Sequence, residues 1–364
     1  MRIAVDCMGG DYGPAEMVPG ALRAAKECEA DIVLVGDENV IRRHLDAVEG
    51  VSAAQVDIVH APSTISMDED PLSAVRHKRD SSLVVAARLV RESSAEAMVS
   101  AGSTGALVAV GALSVGRLPG VSRPALATAI PTISGACVLL DIGANPDCRP
   151  LHLLEFAALG SVYASSLLKL DRPRIGLLSN GTEPSKGNAV TCAAHSLLAE
   201  SSLNFVGNVE SRSVLFGAAD VVVTDGFTGN ILLKSMEGVG SAIFDMVRQA
   251  AMSNMRSKTG ALLMKPALRQ VKRRMDYSEY GGAPLLGLAG LLVKAHGSSD
   301  RKAFANAVRV TSDLLGSGIA QGLQGQHLGP QRGAGAVHLL AAGGQHHGNA
   351  GGHRAAHRLG QGGV

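Results

Sequence analysis

The sequence predicts an α/β protein in three layers, α/β/α, with a mostly parallel sheet and a protruding helical hairpin. Three observations carry this. Short β-branched runs alternate with amphipathic stretches of helical length through residues 1–315. Strand–helix alternation of this kind builds parallel sheets covered on both faces. Hydrophobic residues make up 46% of the 364 while aromatics are 3%, so the expected core is large and aliphatic. Residues 228–275 break the alternation with two long helical patterns in succession.

In chain order, strands are predicted at Arg2–Asp6, Asp31–Gly36, Gln55–His60, Ala95–Ala101, Ala125–Ile130, Ala136–Asp141, Arg174–Ser179, Asp220–Thr224 and Gly290–Lys294. Helices are predicted near 15–29, 38–48, 81–92, 105–117, 151–168, 187–200, 228–256, 262–275 and 300–315. The first strand starts at once and leaves no apolar run for a signal peptide. The longest nearly apolar run, 283–293, falls short of the roughly 20 residues a membrane span needs. Cys7, Cys28, Cys137, Cys148 and Cys192 form no CxxC or zinc spacing and suit a reducing compartment. A net charge of +2 gives no reason to expect nucleic acid. A cytoplasmic protein is expected.

Parallel sheets bind ligands beyond the carboxyl ends of their strands. Five predicted loops there are rich in Gly and polar residues. They are Asp6–Asp11 with Gly9 and Gly10, Gly102–Gly105, Asp141–Asn145, Ser179–Glu183 with Gly181, and Asp225–Asn230. In the second, Gly102 and Gly105 allow a sharp turn and close backbone approach. Ser103 and Thr104 are helix-capping types, and a helix starting here offers free N–H groups to an anion. No Lys follows as in a Walker A loop, and the pattern is not GxGxxG. The expectation is that all five loops share one rim and wall a phosphate-sized or carbonyl-sized site. Singly, each is equally explained by turn chemistry.

Residues 71–82 carry Arg76, His77, Lys78 and Arg79 before Ser81 and Ser82. They read either as a solvated basic turn or as a patch for phosphate or an acidic partner. Within 228–275, an apolar stripe is followed by Met252 and Met255, then a helix with Leu262, Leu263, Lys265 and Arg269. Apolar residues beside clustered cations suit a helix resting on anionic lipid; a dimerisation hairpin with solvated charges is the alternative. From Gly316 to Val364 the chain has no Asp, Glu or Lys and holds six of its 12 His. That composition favours disorder, and its Gly-spaced His residues predict no metal site.

Read together, these loops resemble the phosphate acyltransferase family of bacterial phospholipid synthesis. The resemblance spans about residues 1–315. It rests on Asp6-Cys7-Met8-Gly9-Gly10-Asp11, Lys78-Arg79-Asp80-Ser81-Ser82-Leu83, Val99 to Leu107, Asp141-Ile142-Gly143-Ala144-Asn145 and Gly181-Thr182-Glu183 with Lys186-Gly187-Asn188. It continues through Asn204 to Glu210, Asp225-Gly226-Phe227-Thr228-Gly229-Asn230, Asp276 to Gly287 and His296-Gly297-Ser298-Ser299-Asp300. It implies a fold like isocitrate dehydrogenase and phosphotransacetylase, and conversion of acyl-acyl carrier protein and inorganic phosphate into acyl phosphate. It also implies a homodimer with peripheral membrane contact, handing product to a membrane glycerol-3-phosphate acyltransferase. The chain departs from the family in having Ser103 where Asn is common, and in its tail.

The implied chemistry needs no cofactor and no metal. A thiol with pKa about 8.5 leaves readily as thiolate, and phosphate is already an anionic nucleophile. The site must hold phosphate by the carbonyl and stabilise the oxyanion. Gly102, Ser103, Thr104 and Gly105 are expected to orient phosphate, with Lys186 as cation and His296 as hydrogen-bond donor. Lys186 as an exposed loop charge and His296 as a structural histidine are the alternatives. Asp6, Gly9, Gly10, Asn145, Gly181, Asp225 and Asn230 complete the expected binding set. The carboxylates either orient Lys186 and His296 or cap helices. Cys7 and Cys148 lie near these loops with no base beside them, which argues against a covalent route. The nearest alternative function is phosphate acetyltransfer from acetyl coenzyme A. A metal-dependent dehydrogenase lacks its cofactor fingerprint, and a pure membrane scaffold leaves the loops unexplained.

Overall fold

A computed structural model describes residues 1–48, 56–275 and 281–318. Its first half runs β1 (Arg2–Asp6), α1 (Pro14–Cys28), β2 (Asp31–Gly36), α2 (Glu38–Asp46), β3 (Asp57–His60), α3 (Pro71–His77), α4 (Ser82–Arg91), β4 (Ala97–Ser100) and α5 (Thr104–Val110). One π turn carries α5 on to Val115. The second half runs β5 (Ala125–Thr132), β6 (Gly135–Leu140), α6 (Pro150–Leu168), β7 (Ile175–Ser179), α7 (Ala189–Ala199), β8 (Phe205–Glu210), α8 (Ser211–Val214) and β9 (Val221–Val223). Two long helices follow, α9 (Gly226–Met252) and α10 (Met255–Met275), then β10 (Ala283–Leu286), β11 (Leu291–Lys294) and α11 (Arg301–Gly316).

One sheet holds all of these strands, in the order β3-β2-β1-β4-β11-β10-β5-β6-β9-β7-β8. β1 to β4 and β11 run parallel. β10 opposes both β11 and β5, and β5 opposes β6. Beyond that point β6, β9, β7 and β8 are parallel again. β5 therefore points with β4 and β11, while β6 and its neighbours point the other way. The cause is local. Thr132 pairs with Gly135, so only Ile133 and Ser134 join β5 to β6, and a two-residue connection can only reverse the chain.

The carboxyl ends of β1, β4 and β11 point one way and those of β6, β7 and β9 the other, and the register through β10 and β5 brings the two sets of ends to nearly one level in the middle of the sheet. The five loops form two groups.

Successive residues of each strand face opposite sides of the sheet. Ile3 and Val5 join one apolar cluster with α1, α6, α7 and α11, including Phe156 and Phe304. Ala4 joins the other with α4 and α5, against which Leu232, Leu233 and Met236 of α9 pack. Burial on both faces explains why the strands read as continuous apolar runs. α6 is long and apolar enough to cross a membrane, but Leu153, Phe156, Leu159 and Tyr163 bury it in the core.

Among the described residues, α3, α8, β8 and β10 were not expected. α3 carries a starting signal, since Asp70 accepts from Ser73 N at 2.8 Å with Pro71 in the first turn, but the basic residues behind it drew attention to a turn. α10 starts at Met255 rather than 262, because Asn254 accepts from Ser257 N at 2.9 Å and caps it there. Part of the third predicted strand, the motif residues 276–280 and the tail from 319 lie outside the described residues.

Phe304 on α11 is fully buried against α1, where Gly20 leaves room for it. Phe304→Ala is expected to cost about 3–5 kcal/mol, read as a lower urea midpoint with an unchanged slope.

Candidate active site

The first group of loops is tied together by a buried carboxylate. Asp6 ends β1 and accepts from Ser100 Oγ at 2.7 Å. Met8 N donates to Asp6 at 3.2 Å. Ser100 Oγ in turn accepts from Gly102 N at 3.0 Å. This relay draws the two loops so close that a Cβ on Gly9 would lie 2.7 Å from Gly102 N. Burial pushes the Asp6 carboxyl up, against these hydrogen bonds. Asp11 N donates to Gly297 O at 2.8 Å, which brings the loop after β11 to the same place. Gly9, Gly10, Gly102 and the His296 loop thus meet, as expected. Ser103 caps α5 by accepting from Ala106 N at 3.5 Å. Thr104 and Gly105 follow it, with Gly105 against Pro71.

Two cations that sequence reasoning missed stand here. Lys294 ends β11, and its Nζ donates to Ala101 O at 3.2 Å and to Ala295 O. Burial pushes it down to about 8, with Asp11 and Asp6 pulling it back and Lys234 pushing it further. Lys234, on the third turn of α9, lies 3.1 Å from His296 Nε2 and pairs with Glu237 at 2.8 Å. Burial first, then Lys234 and Lys294, lowers the His296 pKa and favours the neutral ring. His296 Nδ1 lies 2.8 Å from Ser298 Oγ and accepts from Ser298 N at 3.2 Å. A buried strand ending in Lys was a legible signal for Lys294. Nothing in the spacing pointed to Lys234, which α9 delivers from the other half.

The second group gathers at the carboxyl ends of β6, β7 and β9. Asp141 accepts from Asn145 N at 2.7 Å, Ala144 N at 2.9 Å and Gly143 N at 3.1 Å. Asn145 Nδ2 donates to Asp141 and to Pro124 O, so this residue shapes the loop. Asp225 accepts from Thr228 N and Thr228 Oγ1, both at 2.8 Å, and caps α9. Gly226 N donates to Asn145 O at 2.8 Å, and a side chain at Gly229 would collide with the Asp141 carbonyl. Gly181 packs on the Lys186 stem. Asn230 is exposed on the first turns of α9.

Lys186 is exposed in the loop after β7. β7 is five strand positions from β11 in the sheet order. Asp6, Asp141 and Asp225 hold backbone and hydroxyl groups, and none of their hydrogen bonds reaches Lys186 or His296. Cys7 is fully buried and its thiol is pushed up by burial. The Cys148 thiol is pushed up to about 12 by burial, then by Asp141 and Asp225. Neither is a ready nucleophile.

The structure is an α/β fold with a cluster of cationic groups where the loops after β1, β4 and β11 meet. A family model described as "Fatty acid synthesis protein" matches residues 1–322. The phosphate acyltransferase of Desulfitobacterium hafniense (strain DSM 10664 / DCB-2) is 49% identical over 322 residues, covering 88% of this chain and 96% of that protein. That of Brevibacillus brevis is 50% identical over 335 residues, covering 90% and 99%. Among solved structures, a phosphotransacetylase from Streptococcus pyogenes aligns with a TM-score of 0.57 at 17% identity, covering 86% of this chain and 93% of that one. A branched-chain phosphotransacylase from Enterococcus faecalis V583 gives 0.54 at 15%, covering 86% and 99%. At these identities the structures speak for the fold alone. The chain belongs to the fatty acid synthesis protein family and is an acyltransferase acting with phosphate and an acyl substrate. The family expected from the loops is thereby borne out.

Lys294 has a folded pKa below its unfolded one, so its charge costs stability below about 8 and the cost lifts as pH rises toward 10.5. Lys294→Met is expected to raise unfolding stability at pH 7 by at most about 3 kcal/mol and to flatten that alkaline rise. Urea unfolding between pH 7 and 10 reads both, and a less stable variant at pH 7 would count against the burial argument.

Proposed function

We propose that the protein transfers the acyl group of acyl-acyl carrier protein to inorganic phosphate, forming the acyl phosphate that feeds glycerol-3-phosphate acylation. The observation that carries this is the convergence of Lys294, Lys234 and His296 on the Gly9–Gly102 backbone. Phosphate held by those cations presents an oxygen to the thioester carbonyl. The oxygen–carbon bond forms, negative charge gathers on the carbonyl oxygen, and the carbon–sulfur bond breaks. The thiolate leaves without a general acid and takes its proton from water. Lys234 is placed to meet the developing oxyanion, and the neutral His296 ring holds the Lys234 ammonium in position.

The exposed α9–α10 hairpin supports a peripheral membrane role for a cytoplasmic homodimer. Met252, Met255, Leu262 and Leu263 are 61%, 75%, 69% and 78% exposed, and Lys265 and Arg269 lie exposed on α10 beside them. Apolar residues beside cations suit an anionic lipid surface, where a lipid-chain product leaves most easily for a membrane acyltransferase.

Purified protein with palmitoyl-acyl carrier protein and labelled phosphate is expected to yield labelled acyl phosphate. Lys234→Ala should lower kcat/KM about 100-fold or more with folding intact. Turnover of acetyl coenzyme A alone would replace the proposed substrate with the smaller thioester.

A further inference from the structure

The second loop group encloses a cavity of about 250 Å³ that the phosphate chemistry leaves unused. It opens at the carboxyl ends of β6, β7 and β9. Asn188 and Thr191 of α7, Asp225, Phe227 and Thr228 at the start of α9, and Cys148 line it. It is smaller than the roughly 300–1,000 Å³ of drug-sized sites, so it suits an unbranched chain rather than a fused ring system.

Its charge excludes a second phosphate. Asp147 and Asp225 line it and no Lys or Arg does, and Asp141 lies behind the same loop. An anion entering here meets carboxylates, whereas a neutral chain does not. Its polar groups instead match amides. Asn188 Oδ1 is engaged by Thr191 N at 2.9 Å and Thr191 Oγ1 at 3.1 Å, which leaves the Nδ2 hydrogens for a carbonyl. The Asp225 carboxylate and the Thr228 hydroxyl offer acceptors to N–H groups. Leu177, Val190 and Phe227 supply apolar wall for the methylenes between amides.

α9 connects this cavity to the cationic group. Phe227, Asn230 and Lys234 fall at i, i+3 and i+7, on one stripe of the helix. Phe227 lines the cavity and Lys234 touches His296. The seven-residue step from one to the other rises about 10 Å, within reach of an extended chain of two amides. Such a chain would present its terminal sulfur near Asn230, facing the phosphate.

We infer that this cavity binds the pantetheine arm of the thioester donor, with the arm running along the Phe227–Asn230–Lys234 stripe toward phosphate. The inference rests on the acyl-transfer function proposed above and assigns one of its two substrates to a place. The arm is common to acyl carrier protein and coenzyme A. Lys186, two residues before Asn188 and exposed, is placed for the phosphate that either carrier bears at the outer end of the arm.

Steady-state kinetics of the full-length enzyme test it with three donors bearing one acyl group: the acyl carrier protein, coenzyme A, and N-acetylcysteamine, which keeps a single amide. Asn188→Asp keeps the α7 cap but loses the amide donor, and Thr191→Val is nearly isosteric. Each is expected to raise KM for the long-armed donors about tenfold, with phosphate KM unchanged and the N-acetylcysteamine donor insensitive. A shift with both carriers assigns the shared arm, and a shift with acyl carrier protein alone assigns that carrier. Unchanged donor KM in both variants, or a rise in phosphate KM alone, overturns the assignment. Failure of wild-type enzyme with every donor would instead overturn the acyl-transfer function. Titration of wild-type protein with pantetheine needs no variant: saturable binding that leaves phosphate bound supports the assignment, and competition with phosphate or no binding at millimolar concentration overturns it.

Discussion

The reversal of strand direction at the β5–β6 hairpin governs the molecule. With Ile133 and Ser134 as the only link, β6 must run against β5, and β9, β7 and β8 follow β6 in parallel. The carboxyl ends of the two half-sheets then point in opposite directions, and the chain acquires two chemically distinct loop groups. The first holds Lys294, Lys234 and His296. The second is lined by Asp147 and Asp225 and backed by Asp141.

α9 joins what the sheet separates. It is anchored at one edge by Asp225, Gly226 and Gly229 against the Asp141 loop. Its next turns lie across one face of the sheet through Leu232, Leu233 and Met236 and carry Lys234 to His296. The strands are short, three to five residues near the site, so two turns of helix reach from one loop group to the other. The same helix goes on to form the exposed hairpin with α10. One element therefore borders both loop groups and carries the apolar surface assigned to lipid.

Much of the fold was legible in the sequence because parallel strands buried on both faces leave an unmistakable pattern. Met98 and Val99, or Val222 and Val223, have no polar alternation to confuse them. Loop chemistry was legible too: Asp6, Gly9, Gly102 and Asp225 were singled out and each has a definite job in holding backbone. The family was visible in the same loops. Strand direction was not, since it depends on which strands pair across long separations, and β10 with β11 slots between β4 and β5 from the far end of the chain. That is why Lys234 was not expected beside His296. The signal for Lys294 was present and passed over: a cation that closes an apolar strand is costly to bury unless it has work to do.

The most direct test of this account is a crystal structure of the enzyme with inorganic phosphate bound. The account predicts the anion between Lys294, Lys234 and His296, beside the Gly9 and Gly102 turns. Phosphate seated instead among Asp141, Asn188 and Asp225, with the cations left to other contacts, would contradict the division of labour between the two loop groups.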